Sequence, residues 1–404
     1  MNTSYYTSTD FAAVAEILER GGLAALPTET VYGLAADAAN ETAVERLYQV
    51  KGRPEAKPLS LLVSGPEALD ANCAPVPEGA RALARRFWPG PLTLVLPSRK
   101  LEAPAVRAGG ETLGLRCPDH PLTLEVLQRL GRPVAAPSAN RSGEPSPKTA
   151  QAVLDVFDGR IDAVLDGGPC ELGRESTVLD MSAAPYRILR QGALPAEDIA
   201  GALRDALTVV GLTGGSGSGK TTALRCLEEL GALILDADQI YHELTVGSAA
   251  MQTELTGRFG PVYRDGALDR RALAAVVFSD PAALADLNRI THKYVQDEIE
   301  ARLRAHAMAG GTLAAIDAIE LLNIEAGRRT WPKVAVTAPV EDRVRRLMVR
   351  DSISAEAARA RIAAQHSDEW FREHCDHVLV NDGDRAGFEQ TCKNYFTEVL
   401  GRHA

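Results

Sequence analysis

No apolar run in this 404-residue chain approaches the length that a membrane-crossing helix needs. The start, Met1 to Asp10, is polar and has neither a basic region nor an apolar stretch, so it does not read as a signal peptide. Cysteine is scarce. The six residues (Cys73, Cys117, Cys170, Cys226, Cys375, Cys392) are scattered and form no C-x-x-C pair. That excludes a disulfide framework and reads as reduced thiols in a cytoplasmic protein. Basic residues are outnumbered, 44 Lys and Arg against 54 Asp and Glu, for a net charge of −10. Nucleic-acid binding by the whole surface is disfavoured, while a local basic groove stays open. Internal repeats and low-complexity tracts are absent too. One short segment, His374-Cys375-Asp376-His377, has the residue types of a metal site. It reads equally well as a polar junction between a helix and a strand.

What is present is organised around one loop. Gly214-Gly215-Ser216-Gly217-Ser218-Gly219-Lys220-Thr221 fits G-x-x-x-x-G-K-[ST], the phosphate-binding loop of nucleotide enzymes. Its surroundings agree. Thr208 to Leu212 is an apolar run that reads as a strand, and Thr222 to Leu230 reads as a helix capped by Gly231. Glycines let the backbone wrap a phosphate, and the amides at the helix start point at it. The candidate ATP contacts are therefore Gly217, Ser218, Gly219, Lys220, Thr221 and Thr222. Lys220 brings a point charge, and the Thr221 hydroxyl can ligate Mg²⁺.

The length calls for two or three domains. The natural seam is Leu194 to Thr208, where Pro195 opens a short helical pattern before the loop's strand. This places one domain at 1–205 and a second at 206–404. The first half opens with a helix that Asp10 can cap, stopped by Gly21-Gly22. Strands are expected at Leu23–Leu26, Leu59–Val63, Leu92–Leu96, Val134–Ala136 and Val164–Leu165, with Pro27 to Leu34 as a polar loop rich in hydroxyls. Helical patterns between several of these make it an α/β domain. In the second half, Leu233–Leu235, Leu313–Asp317, Val334–Val336 and Val378–Val380 join the loop's strand. Regular alternation with helices predicts a doubly wound parallel sheet, with ligands at the carboxyl ends of its strands.

Two features of the second half go beyond a phosphate loop. Asp236 and Asp238 follow the second strand, where a carboxylate can accept a proton from an attacking hydroxyl or hold Mg²⁺; either could instead cap the next helix. Arg343, Arg345, Arg346, Arg350, Arg359 and Arg361 crowd a helical stretch. They could close as a lid over phosphates, or several could simply form a solvated face. These residues, with Phe259-Gly260, Gly266 to Arg270, Val277-Phe278, Arg346 to Asp351, Arg361 to Gln365 and Asn381, resemble the dephospho-CoA kinase family over nearly all of 208–400. The resemblance implies transfer of the ATP γ-phosphate to the 3′-hydroxyl of dephospho-CoA by a P-loop fold with a helical lid. It makes Asp238 the base and a metal contact with Thr221, Lys220 a phosphate ligand, and Arg346 and Arg350 lid residues. The chain departs from the family at His292-Lys293, usually His-Pro, and at Ile319 to Glu325, usually Pro-Leu-Leu-Phe-Glu.

The first half carries cations and hydroxyls on loops, which suits a polyphosphate and a small polar substrate. Lys51-Gly52-Arg53 with Lys57, Ser138-Ala139-Asn140 with Ser142, Ser146 and Lys148, and Glu175 to Val178 with Arg190 are the clusters. Singly, each reads as well as surface charge, turn or cap. Together with Pro27 to Leu34, Pro89 to Thr93 and Gly114 to Pro118, they resemble the threonylcarbamoyl-AMP synthase (YrdC-like) family over about 8–200. The resemblance implies a twisted mixed sheet and condensation of L-threonine, bicarbonate and ATP to L-threonylcarbamoyladenylate and pyrophosphate, for modification of tRNA adenosine 37. It puts Arg53, Lys57, Ser138, Asn140, Ser146 and Arg190 at ATP, with Lys51 supporting, and Thr30, Arg116 and Ser176 at threonine. Leu62 stands where many members have a polar residue, often His. The C-terminal domain of longer members is absent, and the second half takes its place.

The joint expectation is a bifunctional enzyme using ATP and Mg²⁺ in both halves. Weak contact with tRNA or with proteins of the same modification pathway is left open, and no membrane is involved. The rival readings are an RNA-binding module for the first half and another P-loop small-molecule kinase, or a nucleotide switch, for the second.

Overall fold

A computed structural model of the chain describes residues 2–7, 9–264 and 266–401. Met1 and Ser8 of the polar start, and Asp265 and 402–404 of the second half, lie outside the described residues. The chain divides into two compact units, Met1–Ala206 with Met308–Gly310, and Leu207–Ala307 with Gly311–Ala404. No helix among the described residues is long and apolar enough to cross a membrane.

The first unit is built on ten short strands: β1 (Ser4–Tyr6), β2 (Ala24–Leu26), β3 (Gly33–Asp37), β4 (Ser60–Leu62), β5 (Leu92–Pro97), β6 (Thr112–Arg116), β7 (Val134–Ala135), β8 (Ala163–Leu165), β9 (Thr177–Asp180) and β10 (Arg187–Arg190). They form one mixed sheet in the order β1-β8-β2-β3-β7-β4-β6-β5-β9-β10. The helix Phe11–Glu19 packs on it through Val14, Ala15 and Leu18, against Leu26, Leu62, Val126 and Leu165. Asp10 stands at the N-cap of that helix, but its carboxylate accepts from the Thr7 backbone N–H at 3.0 Å and not from the helix.

The sequence reading gave no strand at β1, β3, β6, β9 or β10, and it placed Gly33 and Leu34, which begin β3, in the polar loop. β1 and β10 are the two edges of the sheet and stay largely exposed. An edge strand needs no apolar alternation, so periodicity leaves it silent. The segment Pro27 to Tyr32 is also unlike a surface loop, since every residue in it is buried. Thr28 makes that tolerable. Its Oγ1 donates to the Val31 carbonyl at 2.6 Å and accepts from the backbone N–H groups of Thr30 and Val31 at 3.2 Å. One side chain thus stands in for water at three backbone groups.

The second unit carries β11 (Thr208–Thr213), β12 (Leu233–Asp236), an antiparallel pair β13 (Tyr263–Arg264) and β14 (Ala267–Leu268), then β15 (Leu313–Asp317), β16 (Lys333–Thr337) and β17 (His377–Val380). The main sheet runs β12-β15-β11-β16-β17, with every neighbouring pair parallel. The expected doubly wound sheet is therefore what forms. Its strands are near-continuous apolar runs because helices cover both faces. One face buries Val210, Leu212, Leu227, Val336, Phe388 and Phe396; the other buries Leu235, Ile299, Leu303, Ile316 and Leu321. Two smaller cores sit apart, one under the helices of 249–290 and one of Val344, Leu347 and Ala358 beneath the arginine-rich helices.

His374-Cys375-Asp376-His377 is a helix-to-strand junction. Asp376 accepts from the Lys333 N–H at 2.7 Å, His374 stacks on Trp370, and His377 stacks on Tyr395. No group of three or more metal-ligating side chains occurs among the described residues.

Phe396 is fully buried in the larger core. Phe396→Ala should destabilise the second unit by about 3–5 kcal/mol, read from its urea unfolding transition.

Candidate functional sites

The first unit holds a cleft of about 670 Å³. Six of the candidate residues line it: Arg53, Ser138 and Arg190 from the nucleotide set, and Thr30, Arg116 and Ser176 from the amino-acid set. Leu62 lines it as well, giving the wall an apolar patch. Strand order explains the convergence. Arg116 ends β6, Ser176 precedes β9, and Ser138 bridges to Gly33 at the start of β3. These strand ends meet along one part of the sheet.

Hydrogen bonds knit the two sets together. Ser176 Oγ lies 2.9 Å from Thr93 Oγ1 and accepts from Arg190 Nη2 at 3.2 Å. Arg190 also pairs with Glu175, whose other oxygen accepts from Ser146 Oγ at 2.8 Å. Ser146 therefore reaches the cleft through Glu175. Arg53 is fixed by the Pro58 and Lys57 carbonyls, at 2.8 and 3.2 Å. Burial lowers its pKa, and no carboxylate pairs with it among the described residues.

Lys51, Asn140 and Lys57 are not on the cleft wall. Lys51 is buried beneath the 138–140 loop and donates to the carbonyls of Ser138 and Asn140 and to Asn140 Oδ1. Burial pushes its ammonium down to about 8. Asn140 Nδ2 donates to the Arg141 and Glu144 carbonyls, while its Oδ1 accepts from Ser138 Oγ. Both residues hold the loop that presents Ser138. Lys57 is exposed and offers only its carbonyl to Arg53. Sequence reasoning passed over Glu29 and Glu175. Each stands inside a quoted motif, but nothing in residue type separates a partner of an arginine from a surface acid.

In the second unit the loop Gly214 to Thr221 joins β11 to the helix Lys220–Glu229. Gly219 has φ +107°, and a Cβ there would meet Asn381 Nδ2 at 2.2 Å. That amide instead donates to the Ser218 carbonyl at 2.8 Å. Lys220 Nζ donates back to the Gly214 carbonyl at 3.0 Å and lies 3.9 Å from Asp317 Oδ1. Ser218 Oγ and Asp317 Oδ1 are buried without a hydrogen-bond partner. Ser218 Oγ is a donor left open in a glycine-rich loop at a helix start, which suits a phosphate oxygen, whereas the Asp317 carboxylate can only accept.

Of the six arginines, two reach the loop. Arg343 Nε donates to the Ser216 carbonyl at 3.0 Å, and Arg346 Nη1 to the carbonyls of Gly217 and Ser218 at 3.1 and 3.2 Å. Arg345, Arg350, Arg359 and Arg361 pair with Asp342, Asp351, Glu341 and Asp351 on the surface. Arg346, Thr221, Thr222 and Gly219 line one cleft with Arg225, Asn381 and Arg385.

Asp238 lines another cleft, of about 840 Å³, with Tyr241, His292, Gln296, Ile319 and Glu320. The neighbouring carboxylates are told apart here. Asp236 Oδ1 accepts from the N–H groups of Asp238 and Gln239 at 2.9 and 3.0 Å, the bonds of an N-cap. Asp238 makes no such bond and faces the cleft. Its side chain keeps water access on one side, yet the cleft walls desolvate it enough to raise its pKa, and Asp236 raises it further.

Asp317 was noted only as a strand end. It is nearly buried, and its carboxyl is pushed up to about 6, chiefly by desolvation, with Lys220 opposing and Asp236 and Asp238 adding. A carboxyl whose pKa is raised by folding favours its protonated form. Its contribution to stability is whole below about pH 4 and is lost as pH rises through about 6. Asp317→Asn should therefore flatten the fall in second-unit stability across that window. The gain at pH 7 should be at most about 3 kcal/mol, at ~1.4 kcal/mol per pKa unit. Urea midpoints at pH 4.5 and pH 7, without nucleotide, check this.

Comparison with known proteins finds a family for each unit. A family model described as Telomere recombination (Sua5, YciO and YrdC) matches residues 16–192, and the Dephospho-CoA kinase model matches 208–386. The threonylcarbamoyl-AMP synthase of Pyrococcus abyssi is 45% identical over 185 residues, or 46% of this chain and 54% of that protein. The chain thus spans about half the length of that relative. A Mycobacterium tuberculosis relative named for the same activity is 38% identical over 188 residues, 45% of this chain and 84% of its own length. The dephospho-CoA kinase of Corynebacterium glutamicum is 39% identical over 193 residues, 47% of this chain and 98% of its own. The chain belongs to two families in succession, the threonylcarbamoyl-AMP synthases in its first half and the dephospho-CoA kinases in its second.

Proposed function

We propose that the chain is a bifunctional enzyme with its domains at 1–205 and 206–404. The first would condense L-threonine, bicarbonate and ATP into L-threonylcarbamoyladenylate and pyrophosphate, for use in modifying tRNA adenosine 37. The second would transfer the γ-phosphate of ATP to the 3′-hydroxyl of dephospho-CoA. The observation that carries the first reading is the meeting of Arg53, Ser138 and Arg190 with Thr30, Arg116 and Ser176 in one cleft. For the second it is Asp238 at the wall of a cleft, free of the helix-capping bonds that hold Asp236.

The first reaction asks little covalent chemistry of the protein. The threonine amine adds to the carbon of bicarbonate-derived CO₂, and a carbamate oxygen then attacks the α-phosphorus. Holding the reactants in line and neutralising the pyrophosphate are the protein's tasks. Arg53 and Arg190 supply the charge, and Ser138 and Ser146 supply hydroxyls. Thr30, Arg116 and Ser176 orient the amino acid. Lys51, Asn140 and Lys57 act one step back, by holding the loops that present Ser138 and Arg53.

In the second reaction Asp238 takes the proton of the acceptor hydroxyl. Lys220, the amides from Gly217 to Thr222, and Arg346 hold the phosphates. Mg²⁺ fits the Thr221 hydroxyl and Asp238, because this ion uses one or two protein oxygens and fills its shell with water and phosphate. When bound it would neutralise charge between the β- and γ-phosphates.

The direct test is mass spectrometry of the purified protein with ATP and Mg²⁺, given threonine plus bicarbonate in one reaction and dephospho-CoA in another. Appearance of the adenylate and of CoA supports the reading. RNA binding with no adenylate, or nucleotide hydrolysis with no phosphorylated acceptor, would replace it with a binding module or a switch.

Arg53→Ala should lower kcat/KM for adenylate formation by about tenfold or more, since a guanidinium's paired bonds to phosphate are lost. CoA formation by the same preparation should not change. Asp238→Asn should lower kcat for CoA formation by roughly 10²-fold or more with ATP affinity kept. Asp236→Asn should cost far less, because asparagine caps a helix about as well as aspartate. Steady-state kinetics of both variants check the assignment, and a collapse confined to Asp236→Asn would reverse it.

A further inference from the structure

Arg116 is the one cation on the wall of the first cleft that the sequence assigns to the amino acid. Two contacts decide where its guanidinium sits. Nε donates to the Gly90 carbonyl at 3.2 Å, and Nη2 donates to Glu29 Oε2 at 2.6 Å. Both side chains of the pair are almost wholly withdrawn from water, at 8% and 6% exposure. Glu29 Oε2 also accepts from the Asp119 N–H at 3.0 Å, while its Oε1 is buried with no hydrogen-bond partner. Among the described residues Arg116 is its only ion-pair partner. Glu29 itself is not on the cleft wall.

We propose that Glu29 is a positioning residue for Arg116: it fixes the guanidinium edge that faces the cleft and so sets the affinity for the amino-acid carboxylate. This rests on the functional reading above. The physical case is one of geometry. Arg116 has five N–H donors in a rigid fork. With Nε and one Nη2 proton held, the plane and rotation of the fork are fixed, and the remaining donors present one edge. A carboxylate ligand is matched by such an edge only within a narrow range of angles. Glu29 is held just as firmly. It sits in the turn that the Thr28 hydroxyl ties down, and its own carbonyl accepts from the Leu172 N–H at 2.8 Å. An acid on a mobile surface loop could not set an angle; this one can. The charge matters too. A buried guanidinium without its counter-ion is destabilised, and the pair keeps it in place before any ligand arrives.

The test is calorimetry of the whole protein with L-threonine, and separately with ATP. Glu29→Gln keeps the shape but loses the charge and offers only one accepting oxygen. It should weaken threonine binding by about tenfold or more and leave ATP binding within about twofold. In an Arg116→Ala background the same change should have no further effect on threonine, because its action runs through that residue. Should Glu29→Gln fail to fold, Glu29→Asp retains the charge and retracts it by one methylene, and a threonine loss of a few-fold is expected. Parent-like threonine affinity in either variant overturns the proposal. So does an Arg116→Ala/Glu29→Gln double variant in which the two losses multiply, or an equal loss for threonine and ATP. A parent protein that binds ATP but not threonine would instead overturn the functional reading on which the proposal stands.

Discussion

A chain with net charge −10 can hold a polyphosphate only by gathering positive potential at a point. Many of its cations are unsuited to this, since they are paired with carboxylates on the surface. The arginine-rich helices show it plainly. Arg345, Arg350, Arg359 and Arg361 each have an acidic partner within their own stretch, and only Arg343 and Arg346 turn inward to the phosphate loop. In the second unit the main donor is therefore the backbone. Glycine makes that possible, because a Cβ at Gly214 would meet the Val336 carbonyl oxygen at 2.3 Å and one at Gly219 would meet Asn381. The first unit has no such loop. Its cleft instead gathers Arg53 and Arg190 from separate segments, with Arg116 on the same wall.

The inward-facing cations have something in common besides their direction. Arg116 meets Glu29, Arg190 meets Glu175, and Lys220 lies near Asp317. Glu29 and Asp317 offset part of the cost of withdrawing their partners from water, whereas Arg190 and Glu175 meet at a half-exposed rim. Each carboxylate also weakens the field that its partner shows to an incoming anion. Lys220 and Asp317 carry this tension furthest. Burial raises the Asp317 pKa to about 6 even though Lys220 opposes the rise, so desolvation outweighs the pairing there. Arg53 stands at the other extreme, held by the Lys57 and Pro58 carbonyls with no carboxylate in an ion pair with it among the described residues.

Legibility in the sequence followed burial and local geometry. The phosphate loop was readable because its glycines, lysine and threonine act within eight consecutive residues. The parallel strands were readable because helices on both faces force continuous apolar runs. β1 and β10 were not, since an edge strand with exposed side chains leaves no pattern. Pro27 to Tyr32 is the polar loop that was expected, but its depth was not legible. Its polar residues are buried, and a single threonine hydroxyl satisfies the turn from within. Hydroxyl-rich sequence signals a turn but not its depth.

The same limit governs the candidate residues. Resemblance placed Lys51 and Asn140 beside Arg53 and Ser138 as one set, because motifs record which residues a site requires and not how. The geometry divides that set. Lys51 spends its ammonium on two carbonyls and an amide oxygen, and Asn140 spends its amide on its own loop, so neither has much left for a ligand. Asp236 and Asp238 divide likewise, one bound to the amides of a helix start and the other directed at a cleft. Two identical side chains two residues apart differ only in what their oxygens already hold. An oxygen committed to a buried amide has little basicity to offer a substrate, whereas one desolvated by cleft walls gains it. What separates support from chemistry in both units is this prior commitment of hydrogen bonds, a three-dimensional quantity that residue type and spacing do not encode.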